Sequence, residues 1–276
     1  VLPHGLLHFM EVLSFNYSNY ETWYDVLNLG FRVAPTAGTD YPCGARFPGQ
    51  DRFYTKVEGE FSYENWLSGV RKGRTFVTTG PLLEFSINGS DIGADLVLDN
   101  PASVTIKGQV QYNPGTDRIA GLEIVENGRV IRTIPEVDAK GELSFSISHN
   151  LTESSWLALR VYRNTPLLDD LNAGADGEHV SLAHTAPIYI TLKNSPPFIA
   201  KSITKITART WLSRLDSLQE RLSEENIDFL AKEFSTYEAY PDLESDNVSQ
   251  HVLMKNRLAI LKEIQSAREF FIGLMN

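Results

Sequence analysis

The chain has 276 residues with 25 Lys and Arg against 35 Asp and Glu, a formal net charge of −10. That balance excludes nonspecific nucleic-acid binding, which needs a basic face to displace counterions. No apolar run approaches the ~20 residues of a membrane-spanning helix, and a single cysteine, Cys43, excludes an internal disulfide and a cysteine-built zinc cluster.

At 42% hydrophobic and 22% charged residues, the chain is long enough to bury a real core and to divide into modules. It opens Val1-Leu2-Pro3-His4 and reads as the middle of a protein, which leaves the compartment open. Over residues 1–83 strands and helices alternate. Residues 9–13 form a short apolar strand. Residues 19–29 carry helical spacing at Trp23, Val26 and Leu27, with Gly30 at the C-cap. Residues 31–37 are a second strand, followed by Gly38-Thr39-Asp40. Ser62 is placed as the N-cap of a helix whose apolar face is Trp66, Leu67 and Val70. Residues 74–79 are a third strand. Strand–helix–strand–helix–strand predicts parallel βα units.

Over residues 84–194 the period changes to two. Alternation at 83–87, 104–110, 143–147 and 157–162, with a last strand at 187–192, predicts an antiparallel β-sandwich. Asn127-Gly128 marks a hairpin tip, because both central residues of a type I′ turn need positive φ. The loop 164–178 interrupts the set. After Ser195-Pro196-Pro197 the period becomes helical. Trp211, Leu215, Leu218 and Leu222 form one stripe, and Leu253, Ile260, Ile264, Ala267, Phe271 and Leu274 a second. Two antiparallel helices, over 200–234 and 247–274, follow from this. The fold class expected is therefore α+β and multi-domain: a βα segment at 1–83, a β-sandwich at 84–194 and a helical hairpin at 195–276.

Asp40 is the sharpest candidate residue. A carboxylate directly after a strand, on a Gly-Thr turn, lies at the C-terminal rim of a parallel sheet, where active sites gather. There it is placed to ligate a divalent metal or orient a water. Its alternative is a turn cap. His4 and His8 share the i, i+4 spacing of zinc sites, but Pro3 and Gly5 work against a helix and the pair reads as incidental. Asp169, Asp170, Asp176 and Glu178 lack calcium-loop spacing and read as a solvated loop. Arg46, Arg52, Arg71, Lys72 and Arg74 form a basic group in an acidic chain. No phosphate-binding glycine loop or nucleophile elbow is present.

Several stretches resemble a known family. They are Glu11-Val12, residues 23–32, Thr36-Ala37-Gly38-Thr39-Asp40-Tyr41-Pro42, residues 52–57 and residues 69–83, with a looser likeness at Ala183-His184-Thr185-Ala186-Pro187. Together they resemble the C-terminal part of PHP-like metallohydrolases of the carbaryl-hydrolase (CehA/McbA) type. The resemblance implies a PHP-type βα barrel segment over residues 1–83. It implies divalent metal ions (Zn, Mn or Fe) and a metal-activated water that hydrolyses an ester, amide or phosphoester. Asp40 falls on the family's late metal motif, as metal ligand and catalytic carboxylate. Tyr41, Arg46, Arg52, Tyr54 and His184 are then the substrate-side or second-shell residues. The other metal ligands of the family would precede Val1, so this fragment alone is expected to hold no tight metal and to be inactive.

The partner expected is a small-molecule substrate, with no nucleic acid and no membrane, and with homo-oligomers forming through the C-terminal helices. The alternative is a catalytically degenerate protein whose sandwich is a ligand- or glycan-binding module, using Tyr112, Trp156, Tyr162 and Tyr189 for stacking.

Overall fold

The computed structural model describes residues 2–14, 17–42, 47–136, 139–163, 180–193, 201–223 and 245–276. They fall into two compact units, Val1–Lys201 and Ser202–Asn276. Among the described residues the chain is mostly β, with four α-helices.

The first unit begins with β1 (Phe9–Ser14), a short β2 (Tyr17–Ser18), α1 (Tyr20–Asn28) and β3 (Ala34–Gly38). β1 and β3 run parallel, with Glu11 opposite Thr36 and Ser14 opposite Gly38. β2 folds back on β1, and the three make a small open sheet in the order β2-β1-β3. Next come β4 (Arg52–Thr55), α2 (Tyr63–Arg71) and β5 (Thr75–Thr78). α2 starts as its sequence dictates: the Ser62 hydroxyl accepts a hydrogen bond from the Asn65 N–H at 3.1 Å.

The remaining strands are β6 (Leu82–Ile87), β7 (Ser90–Asp91), β8 (Asp95–Leu98), β9 (Ala102–Gln111), β10 (Gly121–Glu126), β11 (Arg129–Pro135), β12 (Glu142–Leu151), β13 (Ser155–Arg163), β14 (Val180–Thr185) and β15 (Ile188–Leu192). Asn127 and Gly128 take φ of 50° and 86° at the β10–β11 turn. One sheet runs β12-β9-β6-β7. The other has eight strands, β11-β10-β13-β14-β5-β4, with β15 on β13 and β8 on β15. Apolar residues at every second position of β6, β9 and β12 meet those of β10, β13 and β15 in one core, including Phe85, Ile106, Ile124, Leu159 and Ile188.

The expected partial βα barrel is overturned. Among the described residues all sheets are open, and only β1-α1-β3 is a parallel βα unit. β5, expected as the third parallel strand, runs antiparallel to both β4 and β14 and belongs to the eight-stranded sheet. The physical reason lies in the connection. Residues 56–74, with α2 inside them, form a long excursion between two antiparallel strands. A helix between strands favours a parallel crossover but does not compel one. The α+β multi-domain description gives way to a mostly β chain in which a sandwich-like pair of sheets shares strands with the N-terminal segment.

A second consequence follows from burial. Strand β13 is buried on both faces. Leu157, Leu159 and Val161 enter the inter-sheet core, while Trp156 faces the aromatic side chains of α1. The eight-stranded sheet is thus the middle layer of three.

In the second unit, α3 (Lys201–Arg221) and α4 (Ser245–Met275) pack against each other. Trp211 meets Phe271, Asp216 pairs with Arg268, and the Leu222 carbonyl accepts from Arg257 Nε at 2.7 Å. These contacts run in opposite senses along the two helices, so the pair is antiparallel. The expected extension of the first helix to residue 234 lies outside the described residues beyond Ser223, as does the acidic loop 164–178.

Candidate functional site

Asp40 follows β3 by two residues and takes φ 52°, a left-handed conformation that Asp and Asn tolerate better than most residues. Its side chain is exposed. Because β1 and β3 are parallel, Asp40 lies at the same edge as the end of β1. Glu11 of β1 reaches toward that edge. A Cβ placed on Gly38 would stand 3.1 Å from Glu11 Oε1, so glycine at this position leaves the carboxylate its place. The structure therefore adds Glu11 to the candidate set. The signal for it in the sequence was its position on the face of β1 that meets the end of β3, visible only once the parallel register is known.

The other expected site residues separate into three situations. Tyr41 is 58% exposed beside Asp40. Arg46 lies outside the described residues. Arg52 and Tyr54 sit together on β4: Arg52 Nε donates to the Tyr54 hydroxyl at 3.2 Å, and its other nitrogens donate to the carbonyls of Gly49 (2.8 Å) and Gly80 (3.4 Å). Three acceptors hold that guanidinium in one orientation. Among the described residues no hydrogen bond or ion pair joins Asp40 to any of them.

His184 is placed elsewhere altogether. It is fully buried in the middle of the eight-stranded sheet. Its Nδ1–H donates to the Thr185 carbonyl at 2.8 Å, which leaves Nε2 as the acceptor of the Tyr24 hydroxyl at 2.6 Å. Burial pushes its pKa down to about 3, and the Arg160 charge adds to this, against the opposing bond to Thr185. Burial likewise raises the Tyr24 phenol, which stays a donor. Tyr20 and Trp23 close around the imidazole at 4.8 and 5.2 Å between ring centres.

Strand register explains this cluster. Glu123, Arg160 and His184 stand directly opposite one another on β10, β13 and β14. Arg160 Nε donates to Glu123 Oε2 at 2.7 Å. Beside them, Trp156 Nε1 donates to Asn28 Oδ1 at 2.9 Å, and Asn28 Nδ2 to the Asn127 carbonyl at 3.3 Å. This network joins α1 to the sheet. It is an internal joint in which only Arg160 keeps partial exposure. His184 therefore sits inside this joint and does not face solvent.

Asp40 and Glu11 offer hard oxygen donors of the kind divalent cations accept. Among the described residues no group of three or more His, Cys, Asp or Glu converges into a ready coordination set. His4 and His8 are both exposed, and only His4 lies in the short 3₁₀ turn Leu2–His4, so they do not share a helix face. Of the four aromatic residues considered for glycan stacking, Trp156, Tyr162 and Tyr189 are buried, and Tyr112 is half-buried. A comparison with known protein families finds no match, and one with characterised proteins finds none.

Proposed function

We propose that this chain is part of a metal-dependent hydrolase acting on an ester, amide or phosphoester bond, and that Asp40 supplies one ligand of its divalent metal. One observation carries the reading. An exposed carboxylate follows the second strand of a parallel βαβ unit, in a left-handed turn, at the edge where a second carboxylate, Glu11, is given room by Gly38. The C-terminal ends of parallel strands are where such fold elements place reactive groups.

A bound divalent metal supplies a water that ionises near neutral pH and a Lewis acid for the bond to be cleaved. The chain's own contribution is simpler. Asp40 presents two oxygens that no described residue occupies. Glu11 adds negative charge at the same edge and so favours a cation there. Tyr41 turns an exposed ring toward solvent beside them. Arg52, fixed by three acceptors, is the candidate for an anionic substrate group, and Tyr54 for its flank. The remaining ligands belong, in this proposal, to residues outside those described.

The test is metal content and hydrolysis of 4-nitrophenyl esters and phosphoesters by the intact protein and its Asp40→Asn form. Asparagine keeps the shape and the left-handed backbone and removes the charge. The expected result is a loss of metal and a fall in kcat/KM of about 100-fold or more, with unchanged circular dichroism. A wild-type protein without divalent metal would overturn the proposal. Equal metal and turnover in both forms would do the same, leaving Asp40 as a turn residue.

A further inference from the structure

At the β5-β4 edge of the eight-stranded sheet the two layers of the sandwich stand apart. Between the two sheets there is a cavity of about 780 Å³, inside the range of small-molecule sites. Its floor is Leu83, Phe85 and Phe145, which alternation turns inward from β6 and β12. Gly108 makes room for the last of these: a Cβ there would lie 2.4 Å from the Phe145 ring. One wall is a stacked pair, Tyr54 on Phe76, with ring centres 5.1 Å apart and planes 19° from parallel. Tyr54 is 43% exposed, so the wall continues out to solvent.

The mouth of this cavity is charged. Lys56, Arg74, Asp91 and Ile92 line it and also line a second cleft of about 570 Å³, so the two are contiguous. The Lys56–Asp91 ion pair stands at the boundary. The second cleft carries five cationic side chains against three acidic ones, in a protein whose net charge is −10. Asp91, Asp95 and Glu58 are each already paired with one or more of these cations, and Arg71 has no ion-pair partner among the described residues. Glu84 and Lys107 add one charge of each sign to the cavity lining, so the local positive excess stands. It lies beside an apolar floor and an aromatic wall in an acidic molecule, a combination that plain core packing does not require.

We infer that this groove binds an amphipathic acid: an apolar ring or chain lodges between the sheets against Tyr54 and Phe76, and its anionic head lies at Lys56, Arg74 and Arg71. The apolar body recovers the free energy of leaving water in the cavity, and the head meets cations already gathered at its edge. This groove shares Tyr54 with the proposed substrate side of the Asp40 edge, but its cations Lys56, Arg71 and Arg74 belong to neither that edge nor its metal, and probe binding here does not depend on the hydrolase reading.

Fluorescence titration tests it with two probes of similar shape, 1-anilinonaphthalene-8-sulfonate and the uncharged N-phenyl-1-naphthylamine. Three proteins are compared: the wild type, Lys56→Glu and Tyr54→Ala, both changes at exposed positions that leave the core intact. The wild type binds one equivalent of each, the sulfonate at least tenfold more tightly. Lys56→Glu weakens the sulfonate by roughly tenfold and leaves the neutral probe unchanged. Tyr54→Ala weakens both. Equal affinity of the wild type for the two probes overturns the anionic head. Absence of saturable binding, or binding that neither substitution changes, overturns the site.

Discussion

Among single residues, His184 shows most clearly how burial sets chemistry. Its imidazole is neutral because protonation would place a charge among Tyr20, Trp23 and Tyr24 and would remove the acceptor that Tyr24 needs. In the unfolded chain the same group titrates at 6.5, and in the fold at about 3. The folded form therefore binds fewer protons between these values, and stability from this residue, complete above pH 6.5, declines as the pH falls. The slope is about 1.4 kcal/mol per pH unit. Urea unfolding at pH 7.5, 6.0 and 5.0 reads it directly. His184→Gln, which cannot titrate, is expected to be less stable at pH 7.5 and to lose that slope between pH 6.0 and 5.0. Parallel pH profiles for the two proteins would show that His184 does not titrate as its surroundings require.

The elements differ in how much of them the sequence discloses. The helix capped by Ser62 and the turn at Asn127-Gly128 are legible because cap and turn chemistry are local. The inward faces of β6, β9 and β12 are legible because a half-buried strand alternates. What alternation does not encode is the partner. β5 pairs with β14, more than 100 residues away, and nothing in residues 75–78 marks that edge. The same limit hid the row of Glu123, Arg160 and His184, whose members lie far apart in the chain and meet only through register. At the candidate site, Asp40 was legible from its Gly-Thr turn, whereas Glu11 needed the β1–β3 register. The helical hairpin is the local case again: its stripes name their own contact surface. Ile264 is 4% exposed and packs with Leu222, while Leu215 lies at the margin of that cluster. Ile264→Ala is expected to cost about 2–5 kcal/mol, and Leu215→Ala less, read from far-ultraviolet circular dichroism on thermal unfolding. Asp216→Asn, which breaks the exposed pair with Arg268, costs about 1 kcal/mol or less. A larger effect at Asp216 than at Ile264 would count against a packed apolar seam.

At the scale of the molecule, the middle sheet decides which segments depend on each other. Its strands come from both sides of residue 84, and its two faces are covered by different parts of the chain. On one face the β6-β9-β12 layer closes the apolar core; on the other, α1 lays Tyr20, Trp23 and Tyr24 over Trp156 and His184. Thr75 Oγ1 donates to the Pro35 carbonyl at 2.8 Å and ties β5 to β3 across the same boundary. A chain shortened to residues 84–276 keeps every strand of the four-stranded sheet except the first two residues of β6. It loses β4, β5 and α1. The Ala183–Thr185 edge of β14 then stands unpaired, and the Trp156 side of the sheet, now fully buried, faces water. Exposed edges and large apolar patches both drive association. The expected outcome is a fragment that is aggregated or non-cooperative, with Trp156 emission shifted to the red, while the 276-residue chain melts the whole middle sheet in one transition. Size-exclusion chromatography and intrinsic fluorescence of the two proteins decide it. A monomeric fragment with a sharp transition within a few degrees of the parent would mean that the sandwich stands alone, and that the aromatic joint with α1 is an accessory to the fold.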